Sequence, residues 1–144
     1  VTGRTYPSLV VSCDGAARGN PGPAGAGSQL TTPDGTVVAE IAEGLGETTN
    51  NVAEYTAVIL GLERAKALGA REVHLRSDSQ LLINQLTGVY RVKTPHLQPL
   101  HRRVRTLAAS FETIRYEHVP RERNKEADRL ANAGVDAWLA GRTS

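Results

Sequence analysis

The sequence predicts an α/β fold: a mixed five-stranded sheet in the spatial order 3-2-1-4-5, flanked by helices. Three observations lead there. Three strand-like stretches come first, broken by glycine- and proline-rich turns, and they make an antiparallel meander. A long apolar-striped segment then separates the first strand from a fourth, and a helix between two strands is a crossover that lets them lie parallel and adjacent. Both of those strands are expected to end on an aspartate, Asp14 and Asp78, which then project from the same end of neighbouring strands. That end is where α/β folds place their chemistry.

The elements follow in order. Residues 1–7 are expected to be a loose lead-in to a single domain over 8–140, with 141–144 as a tail. Leu9 to Asp14 is the first strand, with Leu9, Val11 and Cys13 on one face and Val10, Ser12 and Asp14 on the other. Ala24 to Thr31 is the second, and Pro33-Asp34-Gly35 marks the turn into the third, Thr36 to Gly44. Thr48-Thr49-Asn50-Asn51 offers several N-caps for a helix running to about Leu68 with the stripe Val52, Tyr55, Ile59 and Leu62, and Gly69 stops it. Glu72 to Asp78 is the fourth strand. Ser79 caps a short helix to about Leu86, Gly88 breaks it, and Pro95 seeds another from about His96 to Ala109. Phe111 to Val119 is the fifth strand, and Asn124 is expected to cap the last helix, whose stripe is Ala127, Leu130, Ala131, Val135, Trp138 and Leu139.

With 144 residues, 40% of them hydrophobic and 22% charged, the chain suits one soluble globular domain. No apolar run approaches the roughly 18 residues of a membrane span, and the N-terminus lacks a signal-peptide pattern. The lone Cys13 excludes an internal disulfide and a cysteine-rich zinc site, and suits a reducing cytoplasm. A net charge of +2 says little about partners. Its distribution says more: no acid occurs between Asp78 and Glu112, where Arg91, Lys93, Arg102, Arg103 and Arg105 all fall. A basic surface beside an acidic pocket suits a polyanion that also needs metal ions, against the plainer reading of a solvated helix face.

Four acids stand out: Asp14, Glu54, Asp78 and Asp128, separated by 40, 24 and 50 residues, so only the fold can gather them. Each alone has an ordinary explanation: a turn or cap for Asp14 and Asp78, a dipole-complementing first-turn acid for Glu54, an ion pair with Arg129 for Asp128. Together they offer hard oxygen ligands suited to magnesium. Two such ions roughly 3.5–4 Å apart can activate a water and stabilise the leaving oxygen of a displacement at phosphorus. No soft-ligand cluster, nucleophile elbow or Walker-type phosphate loop competes.

Asp14-Gly15 followed by Gly19-Asn20-Pro21-Gly22-Pro23, Thr48-Thr49-Asn50-Asn51 with Glu54, Ser77-Asp78-Ser79-Gln80, and Asn124 with Asp128 together resemble the type 1 ribonuclease H family, over about Ser8 to Trp138. The resemblance implies a ribonuclease H-like sheet and endonucleolytic hydrolysis of the RNA strand of RNA–DNA hybrids, leaving 5′-phosphate and 3′-hydroxyl ends. It implies two Mg2+ ions, with Mn2+ able to substitute, held by Asp14, Glu54, Asp78 and Asp128. Asn20, Asn50, Asn51 and Gln80 resemble residues that touch the hybrid in its minor groove, where amides meet 2′-hydroxyls and base edges. Helix capping is the alternative for these amides. Thr49 resembles part of a pocket for a DNA phosphate.

Three departures from the family pattern matter. The loop Pro120-Arg121-Glu122-Arg123 has no histidine where many members carry one, and His118 is strand-borne. Arg121 or Arg123 is a candidate to bind the scissile phosphate or help product leave, with a surface ion pair to Glu122 as the alternative. Glu47 stands where an arginine often joins the phosphate pocket. The segment Thr87 to Leu97 is too short for the basic protrusion of some members, and Tyr90, Arg91 and Lys93 are its partial replacement. A monomer is expected, with duplex RNA left open as a second substrate. A non-cutting hybrid-binding module gains nothing from four like charges facing a phosphate backbone. A 3′→5′ exonuclease with a related acid set is the remaining alternative.

Overall fold

The computed structural model describes residues 5–142; the rest of the expected lead-in and tail, 1–4 and 143–144, lies outside them. One five-stranded sheet runs β3-β2-β1-β4-β5, formed by β1 (Ser8–Ala17), β2 (Gly22–Thr31), β3 (Val37–Thr48), β4 (Glu72–Ser77) and β5 (Thr113–His118). The first three strands pair antiparallel, and β4 joins β1 and β5 in parallel. This is the expected order.

The helices are α1 (Asn50–Ala67), α2 (Gln80–Leu86), α3 (Gln98–Ala108) and α4 (Lys125–Arg142). Strand alternation decides which face each helix covers. Leu9, Val11 and Cys13 are buried under α1 with Leu30 of β2, and Val73 and Leu75 of β4 belong to the same core cluster. Gly61 brings α1 close here, since a Cβ on it would lie 2.6 Å from the Val11 side chain. Ser28, buried in this layer, donates its hydroxyl to the Ala57 carbonyl at 2.6 Å. Val104 and Leu107 of α3 and Phe111 close the outer side of the core.

The opposite face receives α4. Gly27 lies directly across from Asp14 in the β1–β2 register, and a Cβ on it would sit 2.4 Å from the Ala127 carbonyl oxygen and the Ala131 nitrogen. From the helix side, a Cβ on Gly134 would collide with the Glu43 backbone. Main chain therefore packs on main chain, and the first turn of α4 is drawn against β2 at Gly27, the position paired with Asp14.

Several boundaries differ from expectation. β1 does not end at Asp14: its pairing with β4 stops at Cys13–Ser77, but Gly15, Ala16 and Ala17 go on pairing with Ala26, Gly25 and Ala24 of β2. Small residues that look like turn formers are also the ones that fit between two packed helices. β3 likewise runs past Gly44 to Thr48, with Gly46 at φ 73° beside a register shift. The buried stripe of α1 is Glu54, Tyr55, Val58, Gly61, Leu62 and Ala65, with Val52 and Ile59 only half-buried. The expected helix from His96 begins as a 3-10 turn over Pro95–Leu97. α4 continues to Arg142, where Arg142 stacks its guanidinium 4.7 Å from the Trp138 ring.

Candidate active site

Asp14 and Asp78 each stand one residue past the last paired positions of two parallel neighbours, Cys13 and Ser77. Glu54 arrives from the α1 side. Its approach depends on Gly15, because a Cβ there would lie 2.3 Å from the Glu54 nitrogen and 2.5 Å from the Ala53 carbonyl carbon. Thr49 sets the start of α1, its hydroxyl accepting from the Val52 N–H at 3.2 Å. One carboxylate oxygen each from Asp14, Glu54 and Asp78 lies within 4.8 Å of the others. Asp128, in the first turn of α4, comes in from the other face, near enough to help raise Asp14. All four acids line one cleft of about 450 Å3.

The electrostatics of this cleft are those of a site short of positive charge. Burial pushes Asp14 up to about 8, and the charges of Asp78, Asp128 and Glu54 add to the shift. Burial pushes Glu54 up to about 7, the Ser79 hydroxyl holding it down and Asp78 pushing it further up. Asp78 is raised by burial and by Asp128, against the Arg121 guanidinium. Asp14 is 8% exposed and Glu54 9%. Carboxylates this close and this dry are costly as neighbouring anions, and a divalent cation is the partner that discharges them. The donor set is all oxygen. The Cys13 thiol, buried behind Asp14 and pushed up to about 12, is not available as a soft ligand. These residues fit a hard divalent metal ion.

The remaining sequence-predicted residues are less uniform. Asn50 and Arg121 line the cleft. Asn20 reaches it through Asn50, accepting from the Asn50 backbone N–H at 3.0 Å. Thr49, Asn51 and Gln80 sit at the N-termini of α1 and α2 beside the cleft without lining it. Gln80 is exposed and donates to Asn84 at 3.1 Å, while Ser79 caps α2 through the Leu82 N–H at 3.1 Å. Arg123 lines a separate cavity behind the loop, with Ser12, Gln29 and Arg76. The loop is a 3-10 turn, Arg121–Arg123. His118 ends β5, and its charge favours ionised Asp78. Glu47 turns away, paired with Arg142 at 3.5 Å.

Two polar lining residues, Arg18 and Asn132, are not among the site residues expected from the sequence. Asn132 follows Asp128 by four, on the same face of α4, which is the signal that could have found it. One expectation is corrected: Asn124 does not cap α4 with its side chain. Buried, it donates its amide to the Cys13 carbonyl at 2.9 Å.

Comparison with known proteins adds the following. The family model described as "Reverse transcriptase-like" matches residues 12–134. A bifunctional protein of Mycobacterium tuberculosis is 48% identical over 130 residues, covering 90% of this chain and 36% of its own length. A ribonuclease H of Pseudomonas syringae is 35% identical over 144 aligned positions, covering 90% of this chain and 93% of its own. The solved structure of LC11-RNase H1 in complex with RNA/DNA hybrid superposes with a TM-score of 0.86 at 40% identity, covering 91% of this chain and 99% of that one. The chain thus spans about a third of the length of the mycobacterial relative, 36%.

Proposed function

The chain belongs to the type 1 ribonuclease H family, and from that premise we propose that it hydrolyses the RNA strand of RNA–DNA hybrids internally, leaving 5′-phosphate and 3′-hydroxyl ends. The observation that carries the reading is the convergence of Asp14, Glu54 and Asp78 within 4.8 Å, with Asp128 closing the set in the same cleft. These four side chains would hold two divalent ions, Mg2+ with Mn2+ able to substitute. When bound there, the metal supplies Lewis acidity that makes water a nucleophile and steadies the leaving oxygen.

The chain's own residues do the rest. Burial beside the end of the β1–β4 pairing, with α1 and α4 packed on the sheet, fixes the carboxylates before substrate arrives, so little reorganisation is needed at the reaction. Asn50 in the cleft, with Asn20 bonded to its backbone, meets the hybrid in the minor groove, and Asn51 and Gln80 extend that contact along the starts of α1 and α2. Their amides both donate and accept, which suits the 2′-hydroxyl that separates RNA from DNA. Thr49 spends its oxygen on the Val52 N–H and keeps its proton for a DNA-strand phosphate. Arg121, whose charge already acts on Asp78, faces the scissile phosphate. Arg123 has no such place, because it lines another cavity. Within the described residues no helix is long and apolar enough to cross a membrane; we place the enzyme in the cytoplasm, acting as a monomer.

The test is a panel of substrates with the RNA labelled at its 5′ end: hybrid, duplex RNA and duplex DNA, with magnesium and with chelator. Internal cuts in the hybrid that vanish with chelator are expected. A ladder shortening from the 3′ end would favour an exonuclease, and binding without cutting would favour a non-catalytic module.

A further inference from the structure

We propose that Arg18 is a substrate-binding residue: it grips a backbone phosphate on the α4 flank of the carboxylate cleft and is held in place for that by Asn132 and Asp136. The inference rests on the hybrid reading above and adds to it a contact outside the acids and amides already named.

The cleft has four carboxylates in its lining and two cations, Arg121 and Arg18. They stand on different flanks. Arg121 belongs to the β4 side, where its charge acts on Asp78. Arg18 follows the end of β1 and turns to α4, its Nη1 2.8 Å from Asp136 Oδ1. Its Nη2 donates to Asn132 Oδ1 at 3.3 Å. The Asn132 amide is already oriented by the site: its Nδ2 donates to the Asp128 backbone carbonyl at 3.0 Å and to Asp128 Oδ1 at 3.4 Å. Asp128, Asn132 and Asp136 are spaced by four along one face of α4, so this row leads from the acids outward and Arg18 lies on it.

This arrangement has the properties of a handhold. A guanidinium carries five donors in a planar fork, and the two α4 contacts leave the others for a ligand. The ion pair is exposed, at 43% for Arg18 and 66% for Asp136, and an exposed pair of this kind contributes little by itself. It orients the fork without locking it. A polyanion laid across four carboxylates is repelled unless cations flank them, and a planar fork is the group best matched to phosphate oxygens.

The experiment uses Asp78→Asn protein as a non-cutting parent with magnesium and a fluorescent RNA–DNA hybrid, read by anisotropy at several salt concentrations. Adding Arg18→Ala is expected to weaken binding roughly tenfold and to reduce the slope of log Kd against log salt by about one. Arg18→Lys should keep the slope, because the charge remains, while recovering only part of the affinity. Thermal melts of both variants should match the parent. Unchanged affinity and slope in Arg18→Ala would overturn the proposal. So would weakened binding with an unchanged slope, which is the mark of lost packing between β1 and α4. A parent that fails to bind hybrid would overturn the hybrid reading and this inference with it, whereas a parent that binds beside an unaltered Arg18→Ala overturns this inference alone.

Discussion

The side-chain amide of Asn124 is bonded to the backbone carbonyl of Cys13, 111 residues away in sequence and 2.9 Å in space. Cys13 is the residue before Asp14, and the Asn124 carbonyl accepts the Asp128 N–H at 3.1 Å. One buried amide therefore joins the strand that carries one cleft acid to the turn that carries another. Asn124→Ala removes a buried donor and its bond to the Cys13 carbonyl, at a cost of about 1–3 kcal/mol. Denaturant unfolding should show that loss. Hybrid cleavage should fall further than stability explains, with kcat reduced more than KM, because the spacing of Asp14 and Asp128 is no longer held. An Asn124→Ala enzyme with wild-type kcat would show that the bond is structural only.

Gly15 has the same kind of leverage from the α1 side. A single Cβ there meets main-chain atoms of Ala53 and Glu54 at 2.5 and 2.3 Å, and backbone cannot rotate out of the way. Gly15→Ala must push α1 off β1. The expected cost is about 1–3 kcal/mol of stability, and a displacement of Glu54 of this kind reduces turnover on the order of 100-fold. Near wild-type activity in a folded Gly15→Ala protein would mean that Glu54 tolerates a shift.

The raised carboxylates link stability to pH. Asp14 titrates at about 8 and Glu54 at about 7 in the fold, against about 4 for both in an unfolded chain. Between those values the folded protein holds more protons than the unfolded one. On account of these groups metal-free protein is favoured most at and below about pH 4, the unfolded value, and loses that stability progressively as pH rises from there toward 8. A fall of about 2 kcal/mol or more, some ~5 °C in melting temperature, is expected between pH 5 and 8 with chelator present. Magnesium or manganese at pH 8 should recover it. A melting temperature flat in pH and indifferent to metal would contradict the charge-crowded cleft.

Arg121 and Arg123 differ although they sit two residues apart. Arg121 lines the carboxylate cleft and Arg123 the cavity behind it. Arg121→Ala should lower turnover about tenfold, the value of one charge-assisted contact to phosphate, and Arg123→Ala should stay within about twofold of wild type. Turnover unchanged in both variants would remove the arginine from the chemistry.

The strand order was legible because it follows from a few local signals: glycine-rich turns that force a meander, and one long helix that forces a crossover. The four acids were legible for the same reason, since Asp14 and Asp78 directly follow the parallel-paired stretch of β1 and β4 and Glu54 and Asp128 lie in the first turns of helices. What escaped depends on side chains meeting across the fold. Arg18 and Asn132 meet over 114 residues; the spacing of Asn132 from Asp128 points to the cleft, but nothing local to Arg18 announces the contact. The facing of Arg121 against Arg123 is invisible until a 3-10 turn, at three residues per turn, sends the two side chains to different sides. Asn124 resembles a cap because asparagine before a helix usually is one; here the bond of its Nδ2 to the Cys13 carbonyl fixes the side chain, and its Oδ1 accepts no helix N–H. The extensions of β1 and β3 were hidden by glycines that suggest turns but serve close packing, Gly15 under α1 and Gly44 under α4.

The most direct test of the central claim is single-turnover cleavage of a hybrid labelled at the RNA 5′ end, by wild-type protein and by Asp78→Asn, with hybrid affinity measured on the same preparations. The account predicts internal cuts by wild type that need a divalent metal. It predicts retained affinity in Asp78→Asn with cleavage reduced about a thousandfold, a loss of ~4 kcal/mol of transition-state stabilisation. An Asp78→Asn protein that still cuts at the wild-type rate would contradict it, because the acid at the end of β4 would then hold nothing the reaction requires.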